Sequence, residues 1–69
     1  MIEVFKTNIS NNAVAEIIVQ HLQNILPEAK INFDLEDCDN ILRVEGNSML
    51  VNTVAQQITA LWFYCKALE

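Results

Sequence analysis

Hydrophobic and polar residues alternate with a period of two over Ala29–Gly46, AKINFDLEDCDNILRVEG, and this stretch predicts a β-hairpin. Ile31, Phe33 and Leu35 alternate with Lys30, Asn32, Asp34 and Glu36, and Leu42 and Val44 alternate with Arg43 and Glu45 in the return strand. The tip, Glu36–Asn40, is polar and rich in turn formers. A one-residue slip would carry Leu42 and Val44 to the wrong face, so the register must join odd-numbered core positions to even-numbered ones. The expected pairing sets Leu35 against Leu42, Phe33 against Val44 and, on the outer face, Asp34 against Arg43, an opposite-charge pair worth about 0.2–1 kcal/mol. A loop of two or four residues around Cys38-Asp39 is expected to close it.

The flanking segments complete the pattern. Met1–Thr7 predicts a strand with Ile2 and Val4 on one face and Glu3 and Phe5 on the other, followed by a loop over Thr7–Asn12 with Asn12 as helix N-cap. Ala13–Leu26 predicts a helix whose apolar stripe is Val14, Ile17, Ile18, Leu22 and Ile25, with Glu16 expected in the first turn, where it suits the dipole. Pro27 disfavours helical geometry at Leu26 and ends it. Asn47 or Ser48 caps a second helix from about Met49, with Val51, Val54, Ile58 and Leu61 facing inward. Beyond Leu61 two readings stand: a fourth strand through Phe63–Leu68, or a continued helix in which Cys65 and Leu68 prolong the same spacing. The order is that of an α+β, ferredoxin-like βαββαβ sandwich, with βαββα and a long C-terminal helix as the alternative. Both helices are expected on one sheet face, leaving Glu3, Asp34, Glu36, Arg43 and Glu45 on the other, with Phe5 among them.

Composition narrows the function. The 69 residues make one domain, 1–69, and a chain this short buries only about 60% of its unfolded surface. With 52% hydrophobic residues, self-association is the expected way to cover part of the rest. A net charge of −5 with four basic residues argues against nucleic acid and against an anionic membrane surface. No apolar run is long enough to span a bilayer, and MIEVFKTN enters a strand pattern without a signal peptide. The expected location is the cytoplasm, with Cys38 and Cys65 as free thiols.

The chain resembles the heavy-metal-associated, copper-chaperone-like domain family. The residues that carry the likeness are VFKTN at the end of strand one, the helix ending in Leu26-Pro27, the KINFDLED and LRVEG strands, and the helix leading into FYCKAL. The resemblance implies the scaffold over nearly the whole chain. The family binds soft cations through a Cys-x-x-Cys after strand one, and here those positions fall near Asn12 and Ala15. An amide and a methyl group offer almost nothing to copper(I) or zinc, so transfer of metal by thiolate exchange does not carry over. A second departure is Trp62, where the family has a glycine ending helix two in a left-handed cap.

The remaining candidates are few. Cys38 and Cys65 are the weak candidates for a relocated soft-metal site. His21 borders the first helix's stripe and is expected as a flank residue, and Met1 and Met49 as packing residues. Asp34, Glu36, Asp37 and Asp39 form an acidic cluster without the glycine and distal bidentate glutamate of a calcium loop. No nucleophile–base pair or cofactor motif is present, so neither an enzyme nor a cofactor is expected. Trp62, Phe63 and Tyr64 cannot all face so small a core and, with Phe5, form the expected interaction surface. The expected function is a non-catalytic binding module, forming a dimer or engaging a protein partner, with a soft-metal carrier using Cys38 or Cys65 as the alternative.

Overall fold

The computed structural model describes residues 1–36 and 38–68. The elements run β1 (Ile2–Thr7), α1 (Asn12–Ile25), β2 (Lys30–Asp34), β3 (Ile41–Glu45), α2 (Ser48–Ala60) and β4 (Cys65–Ala67). The strands form one antiparallel sheet in the order β2-β3-β1-β4. Ala15, Ile18 and Leu22 of α1 and Val51, Val54 and Ile58 of α2 join Phe5, Ile31, Leu42 and Val44 of the sheet in a single core. The architecture is α+β with two helices over a four-stranded antiparallel sheet, compatible with a ferredoxin-like sandwich. No helix among the described residues is long and apolar enough to cross a membrane.

Asparagines start both helices. The Asn11 side chain accepts from the Val14 N–H at 3.1 Å, and that of Asn47 accepts from the Leu50 N–H at 2.9 Å. The first cap is therefore Asn11 and not Asn12, and Glu16 lies beyond the first turn. The buried stripe of α1 is Ala15, Ile18 and Leu22, while Ile17 is 67% exposed and Ile25 is also exposed. The expected stripe was centred on the larger side chains. The helix instead turns Ala15, one of its two alanines, toward the strands in line with Ile18 and Leu22, and this rotates Ile17 and Ile25 outward.

The hairpin keeps its expected faces but slides by two residues. Phe33 pairs with Leu42, Ile31 with Val44, Asn32 with Arg43 and Asp34 with Ile41. Asp34 and Arg43 are thus not opposite each other, and the connection between the strands runs over 35–40, longer than the expected loop. Tertiary bonds hold this register: the Thr7 N–H donates to the Asp39 carbonyl at 3.2 Å, and the Thr7 hydroxyl donates to the Asn40 carbonyl at 2.7 Å.

β1 also turns over relative to expectation. Phe5 pairs with Leu42, is only 5% exposed, and belongs to the core; Glu3 shares its face. Ile2, Val4 and Lys6 therefore point to the open side of the sheet. Apolar residues occur at both parities of IEVFKT, and Phe5, the larger, wins the core side.

The C-terminal segment forms the strand, β4, with Thr7 opposite Cys65, Lys6 opposite Lys66 and Phe5 opposite Ala67. The continued helix is excluded, and Leu61, expected inside, is the half-exposed C-cap of α2.

Candidate functional site

The junction between α2 and β4 is built by a left-handed residue. Trp62 has φ 70°, the Trp62 N–H donates to the Thr59 carbonyl at 3.0 Å, and the Phe63 N–H donates to the Ile58 carbonyl at 3.3 Å. These two bonds are the paired closing bonds of a Schellman cap, with tryptophan where glycine is usual. An L-residue in this conformation costs about 1–2 kcal/mol through its Cβ. The cap reverses the chain so that Phe63 packs against the core while Trp62 is 94% exposed and Tyr64 is 48% exposed. The Asn8 side-chain carbonyl accepts from the Tyr64 N–H at 2.9 Å and ties this knuckle to the β1–α1 loop. Leu61, also exposed, widens the apolar surface. Of the expected interaction residues, Trp62 and Tyr64 are on the surface, Phe63 is turned inward, and Phe5 is removed to the core.

The helix beneath the knuckle carries no formal charge along Ser48–Ala60, SMLVNTVAQQITA, and exposes Met49. The opposite side of the molecule holds the basic charge. By strand alternation, Lys6, Lys30, Arg43 and Lys66, all four basic residues, lie on the open sheet face with Asp34 and Glu45. Lys6 makes an ion pair with Asp39 at 3.4 Å. Ile41 is buried on this face, between Lys6 and Asp34 on its neighbouring strands, and stands apart from the main core. Reading β1 with the opposite parity concealed this segregation; placing Phe5 inside would have revealed it from the sequence.

The thiols differ in environment. Cys38 is exposed in the hairpin loop, whereas Cys65 is half-buried, and desolvation pushes its thiol up to about 11. That shift works against a thiolate, the form that binds soft metals and attacks electrophiles. Asn12 is the exposed first residue of α1 and Ala15 is buried, so the loop after β1 presents no soft donor. Among the described residues no group of three or more His, Cys, Asp or Glu is placed to hold a metal ion. His21 is exposed on α1, and Asp37 of the acidic cluster lies outside the described residues.

An open groove of about 1120 Å³ runs between α1 and the outer edge of β2, lined by Ala15, Glu16, Val19, Phe33, Leu35 and Arg43 among others. Neither histidine nor cysteine lines it among the described residues. Val19, Phe33 and Leu35 are half-buried along it, but most of its lining is polar or charged. No family model, curated protein or solved structure matches the chain.

Proposed function

We infer that the chain is a non-catalytic protein-interaction module on a heavy-metal-associated-like, ferredoxin-like scaffold, and that Trp62 is the side chain it presents to a protein partner. The observation that carries this reading is the combination at Trp62 of left-handed backbone and 94% exposure. The conformation costs stability, and the exposed indole returns little of it through contacts within the chain. Glycine would close the same cap without the steric cost. A large aromatic held at such a position, beside exposed Leu61 and Tyr64 and a charge-free α2, fits the make-up of an interface centre, where tryptophan and tyrosine are enriched and charge is depleted.

The test compares the wild type with Trp62→Gly as immobilised bait at physiological salt. A partner retained by the wild type and lost with Trp62→Gly, while the variant stays folded, supports the reading. Identical retention by both would remove Trp62 from the interface. The tryptophan is unique in the chain, so its fluorescence should shift to the blue when the identified partner covers it.

A further inference from the structure

The outer edge of β2 carries a pattern that matches itself. Its bonding phase is set elsewhere in the sheet: the Gly46 N–H donates to the Met1 carbonyl at 2.9 Å, making these two a hydrogen-bonded pair of the β1–β3 ladder. Alternation then turns the backbone groups of Leu42 and Val44 toward β1 and those of Ile41, Arg43 and Glu45 toward β2. Their partners Asp34, Asn32 and Lys30 spend their backbone groups on β3. The N–H and C=O of Ile31 and Phe33 consequently face outward from the sheet. At the start of the strand the equivalent groups of Ala29 are already satisfied: its N–H donates to the Leu26 carbonyl at 3.1 Å, and its carbonyl accepts from Gln23 Nε2 at 2.7 Å. Within β2 the free edge is thus Ile31 and Phe33, beside the open groove under α1.

We propose that a second copy of this chain occupies this edge, its β2 pairing antiparallel with β2 of the first about a two-fold axis at Asn32. This rests on the reading of the chain as an interaction module, and it assigns self-association to a surface separate from Trp62. The sequence of β2 is Lys-Ile-Asn-Phe-Asp. About that axis, Ile31 meets Phe33 of the second copy and Phe33 meets its Ile31, and these two pairs use the outward N–H and C=O groups in four backbone hydrogen bonds. On the open face Asn32 meets its own counterpart, while Lys30 meets Asp34 and Asp34 meets Lys30. Both ends of the strand are therefore charge-complementary in this one antiparallel register, and the two sheets become one of eight strands. Phe33 and Leu35, half-buried at the groove, would gain cover from the added strand.

Charge reversal tests the pairing, because Lys30 and Asp34 are both exposed and their replacement leaves the core intact. The association constant of wild type, Lys30→Asp, Asp34→Lys and the double reversal would be measured by sedimentation equilibrium, with circular dichroism as a check on folding. Each single reversal places two like-charged pairs in the interface and should weaken the dimer by about thirtyfold. The double reversal should restore it to within about threefold. A wild type that stays monomeric at high micromolar concentration, or a dimer indifferent to the single reversals, would overturn the proposal. A dimer broken by Trp62→Gly and untouched by Lys30→Asp would also overturn it while leaving the interaction-module reading in place. Loss of partner retention in Trp62→Gly together with an intact dimer is the expected separation of the two surfaces.

Discussion

The hydroxyl of Thr7 donates to the carbonyl of Asn40 at 2.7 Å, joining the end of β1 to the hairpin loop across 33 residues of chain. The same oxygen accepts from the Ile9 N–H at 3.2 Å, and Thr7 is only 4% exposed. Both partners would lose a bond in Thr7→Val, with no water to replace it at the Ile9 amide, a buried position. The substitution should cost about 1–3 kcal/mol, whereas Thr7→Ser, which keeps the oxygen, should lose much less. Urea unfolding midpoints for the three proteins give the comparison.

That contact also explains what the hairpin pattern could and could not disclose. Alternation of Ile31 and Phe33 with Lys30 and Asn32 decides which face is buried, so parity was legible in the sequence. A slide of two residues preserves parity, and local alternation has no preference between the two registers. The choice is made by Thr7 and Asp39, which no short-range signal connects. As a consequence Arg43 lies opposite Asn32, and a double-mutant cycle of Asp34→Ala and Arg43→Ala should show coupling below about 0.5 kcal/mol, as expected for diagonal neighbours. Coupling near 1 kcal/mol would restore the register with Asp34 opposite Arg43.

Helix starts were legible to within one residue for a different reason, since caps are local chemistry, whereas the end of α2 stayed open between a strand and a continued helix. Asn47 was readable as a cap because its side chain bonds an amide three residues on. Ile17 and Ile25 were misread because the sequence gives the stripe's spacing but not which small residue, here Ala15, faces the sheet. The two opposite faces of the molecule were less legible still. The exposure of Trp62 depends on the reversal it makes at the end of α2, and the basic sheet face depends on the parity of β1.

Trp62 gives a prediction with opposite signs for two substitutions. Trp62→Gly removes the Cβ strain at φ 70° and should raise stability by about 1 kcal/mol, after the greater freedom of glycine in the unfolded chain offsets part of the gain. Trp62→Val retains a Cβ and adds branching, which the left-handed region tolerates poorly, so it should lower stability. For a domain of this size each kcal/mol corresponds to about 4–8 °C in Tm. Thermal unfolding that ranks the wild type above Trp62→Gly would show that the indole makes stabilising contacts within the chain.

Cys65 sets a pH dependence whose sign follows from its burial. Desolvation raises its folded-state value from 9.0 to about 11, so the unfolded chain releases this proton first as pH rises. Below pH 9 the thiol is protonated in both states and its contribution to stability is intact; that contribution is lost as the pH climbs toward 11. The informative quantity is the difference between wild type and Cys65→Ala. Wild-type stability should fall more steeply than that of Cys65→Ala between those limits, and the two should run parallel below them. The same burial predicts chemistry at neutral pH: Cys38, exposed in its loop, should react with a thiol-directed disulfide reagent before Cys65 does. Mass mapping of the singly labelled protein identifies the first site, and labelling at Cys65 ahead of Cys38 would mean that the β1–β4 edge opens more readily than its pairing with Thr7 implies.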